Sequence, residues 1–294
     1  MIQFLKAEST IGLVAPAGFI KPAQIENGIN LLNGAGFKVE LGQHLFGKFR
    51  YFSGSINQRL SDIHSFLEDP NISAIFAVRG GSGSSQLLPY LNFDKWRLTK
   101  KCLIGFSDIT ALQWPVWQMS KAISFSGMTF TLQLKRSNPY LKNFFHQITG
   151  IKRNITAEDI GNTKIIFKNK SEVKGILLGG TLSIINSLLG TPYLKPIKQD
   201  FILYLEDLNE KLYSIERMIV QLKLAGMFKN LKAIIFGGFQ YKNTPLKIWP
   251  AVKTHLPSDM PTIINFPYGH FIESYALPLG VEARLKSDPF LLEW

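Results

Sequence analysis

The chain has 294 residues, of which 46% are hydrophobic, 12% aromatic and 18% charged, a balance that supplies a substantial core and excludes global disorder. Its formal net charge is +12, from 33 Lys and Arg against 21 Asp and Glu, which favours anionic partners. The charges are scattered, the densest run being Lys95, Arg97, Lys100 and Lys101, and no nucleic-acid-binding module is recognisable, so no nucleic-acid partner is expected. The single cysteine, Cys102, can form neither an internal disulfide nor a zinc site by itself and is expected to be a small buried hydrophobe. Met1 to Thr10 contains Lys6 and Glu8 and lacks the apolar stretch of a signal peptide. No run approaches the ~20 apolar residues of a membrane span. A soluble, cytoplasmic protein with no membrane partner is expected.

In the first half, short apolar runs alternate with helical patterns, which predicts a parallel sheet. Ile11 to Ala15 is a strand closed by Pro16-Ala17-Gly18, Ala23 to Asn33 a helix that stops at Gly34 and Gly36, and Phe37 to Leu41 the next strand. Ser55-Ile56-Asn57-Gln58 has the form of a capping box and opens a helix through Leu67. Ala74 to Val78 is a buried strand followed by Arg79-Gly80-Gly81-Ser82-Gly83. Leu103 to Gly105 is another, followed by Phe106-Ser107-Asp108 and a helix from about Ile109.

Between Arg136 and Lys170 the periodicity weakens, and this stretch reads as a crossing between two domains. Alternation then resumes. Val173 to Leu178 leads into Gly179-Gly180, Ile202 to Leu205 is a strand ending at Glu206-Asp207, and Ser214 to Ala225 is a helix. Ala233 to Phe236 ends in Gly237-Gly238, and Thr262 to Asn265 precedes Pro267-Tyr268-Gly269-His270. The expected domains are 1–150 and 173–294, joined by a linker over 151–172.

Several polar residues fall just past the carboxyl ends of these strands, the edge at which open α/β sheets bind ligands. Gly105-Phe106-Ser107-Asp108 places a hydroxyl in a tight strand-to-helix turn, as a nucleophile elbow does, although Ile109 stands where the usual motif has glycine. The helix start offers backbone N–H groups from Asp108 onward. Taken locally, a helix N-cap serine is the commoner explanation. The Arg79 to Gly83 turn resembles a phosphate cradle without the P-loop ending; its glycines allow close backbone approach, as does any tight turn. Glu206 is placed to orient a histidine or simply to cap. Of the five histidines, His270 alone directly follows a Pro-x-Gly turn at a strand end. A nucleophile, an acid and a base are therefore available, and local chemistry leaves their assembly open.

The full pattern resembles the LD-carboxypeptidase family of serine peptidases over nearly the whole chain. The stretches that carry the resemblance are Ile11 to Gly18, Asn57 to Pro70, Ala77 to Gly83 with Leu87-Leu88-Pro89, Gly105 to Leu112, Leu205-Glu206-Asp207 with Tyr213 to Leu222, and Gly269-His270 with Leu277 to Gly280. The resemblance implies a triad of Ser107, Glu206 and His270. It also implies an α/β fold with an N-terminal parallel-sheet (Rossmann-like) domain and a smaller C-terminal α/β domain, the active site between them. Backbone N–H groups of Asp108 and of the Gly80-Gly81 turn would hold the oxyanion, Arg79 would either anchor a substrate carboxylate or serve as a packing or surface arginine at its strand end, and no metal or organic cofactor is required. The implied substrate is a cytoplasmic murein tetrapeptide that loses its terminal D-alanine during cell-wall recycling, and the implied assembly is a homodimer. A branch of the family hydrolyses peptidyl-nucleotide antibiotics with the same triad; a non-catalytic peptide-binding module is the alternative outside the enzymes. Three departures from the family pattern, at Ser82, at Thr181 and across Phe125 to Met128, lie where the substrate pocket is shaped.

Overall fold

The computed structural model describes residues 4–167 and 171–294. The first three residues of the stretch expected not to be a leader, and 168–170 of the expected linker, lie outside the described residues. The chain forms two compact units, Met1–Lys152 with Ile272–Leu279, and Arg153–Phe271 with Gly280–Trp294.

The first unit is built on strands β1 (Thr10–Val14), β2 (Lys38–Leu41), β3 (Ile72–Ala77), β4 (Cys102–Gly105) and β5 (Ser124–Ser126). They pair in parallel in the order β2-β1-β3-β4-β5, and a strand from far along the chain, Leu277–Leu279, closes the β5 edge antiparallel. The central strands β3 and β4 are almost wholly buried, which explains why they read as continuous apolar runs rather than alternating ones. The unit's helices are α1 (Glu26–Gly34), α2 (Ile56–Glu68), α3 (Phe93–Thr99), α4 (Thr110–Ser120) and α5 (Leu141–Ile148).

Helix α2 begins as its sequence dictates. The Ser55 hydroxyl accepts from the Gln58 N–H, and the Gln58 side chain accepts from the Ser55 N–H, so two of the orphan donors of the first turn are satisfied reciprocally. Its inner face buries Leu60, Ile63, Phe66 and Leu67, and Phe66 lies where a Cβ on Gly12 would stand. Cys102 is buried, and burial pushes its thiol up to about 12, as suits a packing residue.

The second unit holds β6 (Asn154–Thr156), β7 (Lys164–Ile166), β8 (Glu172–Thr181), β9 (Phe201–Leu208), β10 (Leu231–Tyr241), β11 (Thr244–Pro245) and β12 (Thr262–Ile264). After Leu277–Leu279, which is β13, come β14 (Val281–Ser287) and β15 (Phe290–Glu293). The sheet order is β6-β15-β14-β8-β9-β10-β12-β7, with β11 folded back on β10. Its centre, β8-β9-β10-β12, is parallel and its flanks are antiparallel. Helices α6 (Leu182–Ser187), α7 (Leu212–Leu224) and α8 (Trp249–Val252) accompany it.

The mixed α/β class with a parallel-stranded first sheet agrees with the sequence. Three details differ. The expected linker 151–172 carries β6 and β7, both members of the second sheet. The stretch Ile272–Leu279, expected in the C-terminal domain, joins the first unit. Glu206 and Asp207 lie within β9 rather than beyond it. No helix among the described residues is long and apolar enough to cross a membrane.

Candidate active site

Ser107 follows β4 closely and opens a single 3-10 turn that leads into α4. Its φ is +63°, a left-handed conformation that a non-glycine residue adopts only when its surroundings hold it there. The surroundings are specific. A Cβ on Gly105 would stand 2.6 Å from Ile109 Cγ2, so the turn from strand to helix closes only around glycine. The buried Gln113 amide donates to the Gly105 and Phe125 carbonyls at 3.1 and 2.9 Å, tying α4 to the end of β4 and the middle of β5.

The Gly80-Gly81 turn leaves β3 beside this serine. A Cβ on Gly80 would lie 3.0 Å from the Phe106 carbonyl oxygen, and Gly81 has φ +111°. The Gly18 N–H donates to the Gly80 carbonyl at 3.1 Å. Asp108, expected to offer its backbone N–H, also uses its side chain: the buried carboxylate accepts the Ser84 N–H at 2.8 Å and so links the glycine turn to the Ser107 turn. Burial raises the Asp108 pKa, and the Ser84 hydrogen bonds and the Arg59 charge oppose that rise. Arg79 is half-buried and donates to the Phe19 carbonyl at 2.8 Å.

Arg59 was not among the residues expected at the site. It is 3% exposed, and its guanidinium donates to the carbonyls of Pro16 and Gly83 at 2.8 and 3.0 Å and to Gln86 Oε1 at 2.8 Å. One arginine thus braces the loop after β1 and the far end of the glycine turn. The signal was present in α2, where Arg59 is in phase with the buried Ile63 and Phe66.

In the second unit, Glu206 is completely buried in β9, and its Oε2 lies 2.6 Å from His270 Nδ1. Its other oxygen, Oε1, accepts the Thr181 hydroxyl at 2.6 Å; β8 and β9 place Thr181 and Glu206 as direct partners. His270 is held by a close approach of the chain to a bulge in β10, where pairing with β9 shifts between Phe236 and Phe239. The Gly238 N–H donates to the Tyr268 carbonyl at 2.8 Å, Gly237 leaves no room for a Cβ beside that carbonyl, and the Tyr268 ring packs edge-on against Tyr204.

The His270 ring is 15% exposed. Burial pulls its pKa down, but the Glu206 charge and hydrogen bond, with a smaller contribution from Asp207, outweigh it and the net shift is upward. A carboxylate on Nδ1 fixes the proton on that nitrogen and leaves Nε2 as the acceptor, the tautomer a general base requires. Asp207 is buried next to Glu206, and burial with the neighbouring charge pushes its carboxyl up to about 7, against hydrogen bonds from Ser183 and Leu208. Among the described residues no group of three or more His, Cys, Asp or Glu side chains is arranged to hold a metal ion.

The family profile of the LD-carboxypeptidase N-terminal domain matches residues 11–127, and that of the LD-carboxypeptidase C-terminal domain matches residues 174–285. A probable murein peptide carboxypeptidase of Bacillus subtilis is 27% identical over 291 residues, covering 96% of this chain and 90% of its own. The microcin C7 self-immunity protein of Escherichia coli is 27% identical over 320 residues, covering 97% and 92%. The crystal structure of a muramoyltetrapeptide carboxypeptidase from Oxalobacter formigenes superposes with a TM-score of 0.81 at 26% identity, covering 96% of this chain and 97% of the other.

Proposed function

Because the chain belongs to the LD-carboxypeptidase family and is a serine carboxypeptidase, we propose that it removes the terminal D-alanine from murein tetrapeptides, with Ser107, Glu206 and His270 as its triad. In this reading His270 Nε2 takes the proton of the Ser107 hydroxyl as its oxygen attacks the carbonyl that joins the L-centre of the diamino acid to D-alanine. Glu206 holds the tautomer and stabilises the imidazolium. Backbone N–H groups of Asp108 and of the Gly80-Gly81 turn receive the oxyanion. His270 then protonates the departing amine, D-alanine leaves, and water hydrolyses the acyl-enzyme by the same path in reverse.

The observation that carries this reading is the fully buried Glu206 with its oxygen 2.6 Å from His270 Nδ1. The left-handed Ser107 supports its part, since strain of this kind is characteristic of a nucleophile elbow. The murein assignment draws on the names of the relatives and on the net charge of +12, which suits a peptide bearing several carboxylates. Arg79 is assigned to one of them. The place of action in this reading is the cytoplasm, the pathway is cell-wall recycling, and the assembly is a homodimer, measurable by light scattering.

The test is D-alanine release from purified murein tetrapeptide by wild type beside Ser107→Ala. Release by wild type, lost on the order of a thousandfold or more in the folded variant, supports the reading. The similarity to the microcin self-immunity protein gives a specific ground for a second reading, a peptidyl-nucleotide substrate for the same triad. Cleavage of such a conjugate with no D-alanine release would select it.

A further inference from the structure

Thr181 ends β8 and occupies the N-cap position of α6, where a threonine hydroxyl ordinarily accepts an N–H from the first turn. Here it makes no capping bond. Asp207 caps the helix in its place, with Oδ2 accepting the Ser183 N–H at 2.7 Å and Oδ1 accepting the Ser183 hydroxyl at 3.2 Å. The Thr181 hydroxyl instead donates to Glu206 Oε1 at 2.6 Å. Thr181 is 4% exposed and Glu206 0%, so water does not substitute for either group readily.

Each oxygen of the buried carboxylate consequently has its own donor, His270 on Oε2 and Thr181 on Oε1. A carboxylate with a donor on one oxygen alone keeps a rotation about its last torsion. A short charge-assisted bond on the second oxygen opposes that rotation.

We propose that Thr181 is a positioning residue of the Glu206–His270 pair, fixing the carboxylate plane and, through it, the orientation in which His270 exchanges its proton. The proposal rests on the triad reading for its catalytic consequence and on geometry alone for its structural one. Asp207 belongs to the same arrangement, since its capping of α6 is what leaves the threonine hydroxyl to the glutamate.

The experiment compares Thr181→Val, which keeps the shape and removes the hydroxyl, with Thr181→Ser, which keeps the hydroxyl. Three quantities are measured on the full chain: the low-field proton NMR signal of His270 Nδ1–H, kcat and KM for D-alanine release, and Tm. The valine variant is expected to shift or broaden the Nδ1–H signal and to lower kcat roughly 10- to 100-fold with KM within about twofold, as a misaligned base does. Serine is expected to restore both. A valine variant with an unaltered Nδ1–H signal overturns the proposal, whatever happens to kcat or Tm. Should wild type release no D-alanine, the substrate reading fails while the NMR comparison still decides the role of Thr181.

Discussion

A Cβ placed on Gly80 would lie 2.8 Å from Ser107 Cβ and 3.1 Å from its Oγ. The backbone of one turn therefore occupies the space immediately beside the hydroxyl of another, and no side chain fits between them.

Gly80→Ala forces Ser107 to move, because the Phe106 carbonyl on the other side is backbone. Turnover of this variant is expected to fall on the order of 100-fold, the cost of displacing the proposed nucleophile by about an ångström. Because the clash involves one turn, secondary structure by circular dichroism is expected to be retained. Wild-type turnover in Gly80→Ala would show that the approach of the glycine turn to Ser107 has no catalytic consequence.

The upward shift of His270 sets a pH dependence. Burial lowers its pKa, and the charge and hydrogen bond of Glu206 raise it by more. As the base of the proposed triad His270 must be neutral, so the acid limb of kcat/KM is expected above about pH 6.5 in wild type. In Glu206→Gln the larger opposing charge is gone, so the limb moves to lower pH than in wild type, while kcat drops by roughly a thousandfold. For stability the sign is that of a raised histidine: its contribution is complete below about pH 6.5 and is lost as pH rises through the higher folded value. A limb that stays in place in Glu206→Gln would refute this account.

Asp207 acts in the opposite sense from a salt-bridged carboxylate. Its folded pKa, about 7, lies above the ordinary carboxylate range, so the folded state binds a proton that the unfolded state has already released. Its contribution to stability is present below about pH 4 and declines as pH rises toward about 7. Thermal denaturation from about pH 4 to about pH 8 is expected to show a shallower decline in Asp207→Asn than in wild type. A parallel pair of Tm curves would rule the coupling out.

Lys101 is 6% exposed, and its ammonium donates to the carbonyls of Phe66 and Asp69 at the C-terminal end of α2. Lys101→Met leaves those carbonyls without this donor, at a cost of about 1–3 kcal/mol. A fall in Tm of several degrees is expected, with KM unchanged, since the effect is confined to the end of one helix. An unchanged Tm would mean that water replaces the ammonium at both carbonyls.

Much of the first unit could be read directly, because its signals are local. The Ser55-to-Gln58 cap, the apolar runs of β3 and β4 and the glycines after them all act on their own neighbours in sequence. Glu206 was legible as a residue and misplaced as structure. A Glu-Asp pair reads as the end of a strand, yet β9 continues through it to Leu208 because Thr181, Ser183 and His270, remote in sequence, supply the hydrogen bonds that make burial of two carboxyls tolerable. Four of the three-residue strands, β5, β6, β7 and β13, are defined by their partners more than by their own composition. Arg59 was hidden for a related reason: its three acceptors come from 24 to 43 residues away.

The pairing of Leu277–Leu279 with Ser124–Ser126 bears on how the gene can be dissected. A fragment ending near residue 150 contains every helix of the first unit and still lacks its outermost strand, so β5 is left as an unpaired edge that invites association with other copies. The complementary fragment would carry an orphan strand between Phe271 and Gly280. Splitting the protein for complementation assays therefore calls for the eight residues Ile272–Leu279 to travel with the first half.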